Sequence, residues 1–151
     1  MEFSPNCTND ELVSFIKKYD LELNWDWAIN ISDCSCIVED VYKVEDNGEI
    51  IGLIDFSFKT IFGSDSIQIE NFEVFEKGKG IGSKIINALI DQLPGVHIYL
   101  YVNDERSKSF WEKHKFMNDP GTLLHHVLTM YHERISFYYQ KKRCKQKDIY
   151  S

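Results

Sequence analysis

Little in this 151-residue sequence could build a fibre, a membrane span or a disulfide framework. Three prolines and eight glycines exclude collagen-like repeats and proline-rich disorder. No apolar run reaches the ~18 residues of a membrane span. Met1 to Asn9 lacks the basic and apolar regions of a secretory signal, so the expected compartment is the cytoplasm, with no membrane partner. The four cysteines, Cys7, Cys34, Cys36 and Cys144, make no zinc ribbon: Cys34-Ser35-Cys36 has one intervening residue and no second C-x-x-C follows. His125-His126 is no better a metal site, because neighbours on a strand point to opposite faces. No metal is expected, and the thiols read as reduced and structural.

An excess of basic residues is also missing. Seventeen Lys and Arg face 24 Asp and Glu, for a formal net charge of −7, so the global footprint of a nucleic-acid binder is absent. The charge is uneven. Residues 1–60 hold 13 acids and four bases, whereas residues 134–151 hold six bases and one acid. The acidic part could attract a cationic small molecule or peptide, although from charge alone a solvated surface that aids solubility is the better reading. The basic tail could meet an acidic protein, RNA or a second subunit in a homodimer; a packed segment with a frayed cationic end is the simpler reading.

What is present is ordinary globular material, 43% hydrophobic and 14% aromatic, enough for one domain. Thr8 or Asn9 can cap a helix with Leu12, Val13, Phe15 and Ile16 at helical spacing and Lys17 and Lys18 in its last turn. Residues 20–35, with Trp25 and Trp27, show no clean period and read as a short helix or a loop. Ile37 to Val44 and Glu49 to Lys59 read as strands around Asp46-Asn47-Gly48, a strong hairpin signal. Ile67 to Val74 reads as a third strand.

Lys77-Gly78-Lys79-Gly80-Ile81-Gly82 then leads into a helix burying Ile81, Ile85, Ile86, Leu89, Ile90 and Leu93. Val96 to Val102 makes another strand, Asp104 to His114 another helix, and residues 122–133 a closing strand. This order predicts an α/β (or α+β) fold, with a mixed, mostly antiparallel central sheet and helices on both faces.

A glycine-rich turn between a strand and a helix N-terminus aims main-chain N–H groups at one point, where the helix dipole also favours an anion. Lys77, Lys79 and Lys84 add positive charge. Two phosphate-binding motifs fail: a Walker A loop has Lys directly after its last glycine, whereas Gly82 is followed by Ser83, and a dinucleotide fingerprint needs glycine where Ser83 or Ile85 stands.

The segment resembles the pyrophosphate loop, [QR]-x-x-G-x-[GA], of the GNAT superfamily of acetyl-CoA-dependent N-acyltransferases, with Lys77 in place of Gln or Arg. Asn103 to Phe116, containing Phe110-Trp111-Glu112-Lys113-His114-Lys115-Phe116, looks like the family's second motif, in which a strand-ending Asn precedes a Phe-Tyr-Glu-Lys-Leu-Gly-Phe-like run. The resemblance runs from about Val41 to Phe116.

It implies an N-acetyltransferase domain over residues 1–133, a basic extension over 134–151, and a sheet splayed between the strand before the loop and Val96 to Val102, with the pantetheine arm in the gap. Backbone of Phe72, Glu73 and Val74 would pair with pantetheine. Lys77, Gly78, Lys79, Gly80, Ile81, Gly82 and Ser83 would form the pyrophosphate cradle, with Asn103, Ser107 and Phe110 contributing from the second motif. The implied reaction is direct attack of a primary amine, small-molecule or peptidyl, on the thioester of acetyl-CoA.

Such attack needs a base to take the amine proton and benefits from an acid for the thiolate. Glu70 and Glu73 are the nearest carboxylates; being three apart they lie on opposite strand faces, and Glu70 is preferred. Trp111 stands where many relatives carry the Tyr that donates the proton, and an indole N–H is no practical acid. Tyr99 or Tyr101, water, or an unassisted thiolate departure could serve instead. A non-catalytic acyl-CoA-binding or regulatory module with the same fold is the alternative.

Overall fold

The structure, a computed structural model, describes residues 1–29, 41–61, 64–102, 104–124 and 127–132. Along the chain run β1 (Glu2–Ser4), α1 (Asn9–Lys18), a 3-10 turn (Asp26–Ala28), β2 (Val41–Asp46), β3 (Glu49–Ile61), β4 (Ser64–Val74), α2 (Ile81–Gln92), β5 (His97–Val102), α3 (Glu105–Lys113), β6 (Met117–Leu124) and β7 (Val127–His132). The expected α/β class is borne out. Cys34, Cys36, Asn103, His125, His126 and the basic tail lie outside the described residues. Among the described residues, no helix is long and apolar enough to cross a membrane.

Two compact units form. The first comprises Met1–Phe58 and Gln68–Gln92; the second comprises Lys59–Ile67 and the described residues from Leu93 on.

In the first unit the strands lie in the order β1, β2, β3, β4. β1 and β3 both run antiparallel to β2, with Phe3 and Gly52 each opposite Val44. The β2–β3 turn places Asn47 at φ 51 and Gly48 at φ 83, the positive pair that a tight hairpin turn requires. α1 begins in a reciprocal capping box: Thr8 Oγ1 accepts from the Glu11 N–H at 3.2 Å, and Glu11 Oε2 accepts from the Thr8 N–H at 3.1 Å, satisfying donors that the helix end would otherwise strand.

Lys43 and Leu53 are cross-strand partners on one face of this sheet. Lys43 pairs with Glu11 of α1 at 2.9 Å, and Leu53 joins Cys7, Leu12, Trp25, Val41 and Phe75 in a buried cluster against α1. Each such apolar side chain contributes ~1.5–3 kcal/mol when fully buried. Gly52 faces the other way, where a Cβ would lie 3.4 Å from Ile85 Cδ1 of α2. Helices therefore cover both faces of this sheet, as the sequence predicts.

The second unit places β7 between β5 and β6, antiparallel to both. This corrects the single closing strand expected over residues 122–133: two strands form, with a register irregularity between Asn118 and Leu123. β1 is a further strand that the sequence pattern did not announce. Asp104 caps α3 by accepting from the Ser107 N–H at 2.7 Å. The helix closes with Lys115 at φ 65, a left-handed position usually given to glycine.

Candidate active site

The loop joining β4 to α2 is anchored at its start. Phe75 is buried, stacks on Tyr19 with ring centroids 4.3 Å apart, and donates its N–H to the Ile51 carbonyl at 3.0 Å. Beyond it the chain turns through Gly78 (φ 77) and Gly80 (φ 74), and no atom lies within 4 Å of where either Cβ would sit. Only glycine adopts that backbone without strain. The Lys84 N–H bonds the Gly80 carbonyl at 3.2 Å, which starts the α2 ladder there. The amides of the helix's first turn are directed out of its end toward this open bend, the arrangement that receives anions.

The cationic groups around the bend are already engaged by carboxylates. Lys79 bonds Glu76 and Lys84 bonds Asp46. The Lys84 hydrogen bond holds Asp46 below the usual carboxylate range, and the Lys79–Glu76 bond lowers Glu76 while raising Lys79. Lys77 turns elsewhere: its ammonium lies 3.1 Å from the Asp20 carbonyl, 3.2 Å from Glu22 and 3.5 Å from Glu73.

The two carboxylates singled out on β4 occupy different settings. Glu70 is exposed and accepts a hydrogen bond from Ser57 Oγ at 3.3 Å. Glu73 is 3% exposed, and its two oxygens accept the N–H groups of Glu22 and Leu23, each at 2.9 Å. Phe72, Val74, Ile81, Gly82 and Ser83 are half-buried.

In the second unit, Tyr101 on β5 is 53% exposed. Tyr99 is half-buried, with its hydroxyl 3.4 Å from His97 Nδ1. Ser107 and Phe110 are half-buried on α3. Trp111 is buried between Phe110 and Phe116, with centroids 5.1 and 5.0 Å away. His114 is buried beside Phe110, and burial, then the Lys113 charge, depresses its pKa. Among the described residues, no group of three or more His, Cys, Asp or Glu side chains could hold a metal ion.

Asp46, Glu76 and the main chain of residues 20–23 escaped the sequence reading as partners of this region. The acids gave no local signal, and main-chain amides give none.

Residues 5–116 match the family model described as the acetyltransferase (GNAT) family. The chain belongs to the GNAT family. Its structure resembles that of a GNAT-family protein from Bacteroides thetaiotaomicron, with a TM-score of 0.58 at 16% identity over 97% of this chain and 95% of that one. An N-acetyltransferase from Staphylococcus aureus Mu50 aligns with a TM-score of 0.54 at 13% identity, covering 87% and 98%. Naa50 of Arabidopsis thaliana, in complex with the bisubstrate analogue CoA-Ac-MVNAL, gives 0.53 at 16%, covering 87% and 97%. No match was found among curated proteins. Membership extends the likeness, which the sequence shows from about Val41 to Phe116, back to residue 5, ahead of α1.

Proposed function

We propose that this chain is an N-acetyltransferase that moves the acetyl group of acetyl-CoA directly onto a primary amine of a small-molecule or peptidyl acceptor. The observation that carries the reading is the open bend at Gly78 and Gly80 leading into the amide-bearing end of α2. A pyrophosphate seated there is met by main-chain donors and a favourable dipole. Amides from Lys79 to Ser83 hold it, Lys79 and Lys84 add charge, and main chain from Phe72 to Val74 runs beside pantetheine.

In the reaction the amine lone pair attacks the thioester carbonyl carbon, the C–N bond forms, the C–S bond breaks and the thiolate leaves. Glu70, an exposed carboxylate on β4, takes the amine proton. The thiolate leaves unassisted or takes up a proton, a role that the resemblance leaves to Tyr101, Tyr99 or water. Trp111 has no proton to offer at neutral pH.

Two features support acceptor classes. The analogue bound to Naa50 joins CoA to a peptide, which favours a peptidyl amine. Asp26 is exposed beside Trp27, itself 54% exposed, which favours a cationic small amine. Thiol release from acetyl-CoA across polyamines, aminoglycosides and peptides tests both; a preference for anionic amino acids rejects the cationic class. A non-catalytic CoA-binding module is the second reading, favoured by Trp111 in place of the usual Tyr. It wins if calorimetry shows acetyl-CoA binding and no amine is acetylated.

A further inference from the structure

Residues 20–23 link α1 to the turn carrying Trp25 and Trp27, and their main chain is held by two side chains some 50 positions away. Both Glu73 oxygens accept N–H groups, from Glu22 and Leu23 at 2.9 Å. The Lys77 ammonium has three acceptors within reach, the Asp20 carbonyl, Glu22 and Glu73, as many as it has protons to donate.

A carboxylate at 3% exposure is costly unless hydrogen-bonded and paired, and here both conditions are met by one short segment and one lysine. Glu73 also sits near the end of β4, three residues past Glu70 and two before buried Phe75. The segment is therefore docked on the strand assigned to the thioester, and it leads directly to exposed Leu23 and Trp27.

We infer that Glu73 is a positioning residue, with Lys77 as its counter-ion, and that together they fix residues 20–23 as the acceptor-side wall of the site. The inference rests on the acetyl-transfer reading. It gives Glu73 a role other than general base, since its oxygens are turned to main-chain amides, and it gives Lys77 a role other than phosphate ligand.

The test compares the full chain with Glu73→Gln and Lys77→Met. Both variants are assayed for KM of amine and of acetyl-CoA, for the pH profile of kcat, and for amide exchange at Glu22 and Leu23. Glu73→Gln is expected to raise the amine KM roughly 10-fold or more, leave the acetyl-CoA KM within about twofold, keep the acid limb of the profile, and speed exchange at Glu22 and Leu23. Lys77→Met is expected to shift the same quantities less.

Loss of the acid limb at constant amine KM in Glu73→Gln makes it the base and overturns the inference. So does a lowered melting temperature with both KM values unchanged, which is a purely structural role. A rise confined to the acetyl-CoA KM in Lys77→Met returns that lysine to the phosphate cradle and overturns its part. No turnover in the unsubstituted chain fails the acetyl-transfer reading and the wall with it. Unchanged exchange in Glu73→Gln, with turnover intact in the parent, fails the inference alone.

Discussion

Asp46, at the β2–β3 turn, holds the ammonium of Lys84 in the first turn of α2. The pair neutralises a cation beside the proposed pyrophosphate cradle, so an incoming polyanion competes with Asp46 for it. Asp46→Asn is expected to tighten CoA binding about 2–5-fold at low ionic strength, with the gain fading in high salt as screening grows. Titration calorimetry measures this. Unchanged or weaker binding at low salt means that Lys84 does not face the phosphates.

Gly52 is fixed by space. A Cβ there would lie 2.5 Å from the Glu73 carbonyl oxygen, a main-chain atom that cannot swing aside. Gly52→Ala is expected to cost about 1–3 kcal/mol, read as a lower urea midpoint at constant slope. A midpoint equal to that of the parent contradicts the packing described.

Lys115 works in the opposite direction. Its φ of 65 strains a side chain-bearing residue at the end of α3, where relatives of the second motif carry glycine. Lys115→Gly is expected to raise stability by about 1 kcal/mol, seen as an upward shift of the thermal midpoint. A downward shift would mean that the lysine side chain contributes more than the strain costs.

Cys7 supplies a pH dependence. Burial, reinforced by the Glu11 carboxylate and opposed by Lys43, pushes its thiol from 9.0 to about 11. The folded chain holds the proton through this range while the unfolded chain releases it, so the linked stability is intact below 9.0 and is lost as pH rises to about 11. Relative to Cys7→Ala, the parent is expected to lose stability across that window in denaturant titrations. A difference independent of pH refutes the shift.

Local chemistry made much of this legible in advance. The Thr8 capping box, the Asn47-Gly48 turn and the glycine bend before α2 are each specified by residues within a few positions of one another. β1 has three residues and no pattern of its own; its existence depends on pairing with β2, some 40 positions on. β6 contains Asn118-Asp119-Pro120-Gly121, which local propensity reads as a turn, and the register with β7 breaks across it, between Asn118 and Leu123. Within the site, the sequence placed two carboxylates on β4 and preferred Glu70, but it could not show what holds Glu73, because the partners that bury it are main-chain amides from another part of the chain.

The central claim, acetyl transfer with Glu70 as base, is tested most directly by mass-spectrometric counting of N-acetylated amine against released CoA in the full chain and in Glu70→Gln. The prediction is one acetylated amine per CoA released, with kcat lowered about a hundredfold or more in the variant and acetyl-CoA affinity unchanged. Tight acetyl-CoA binding without any acetylated amine, or a Glu70→Gln variant as fast as the parent, would contradict it.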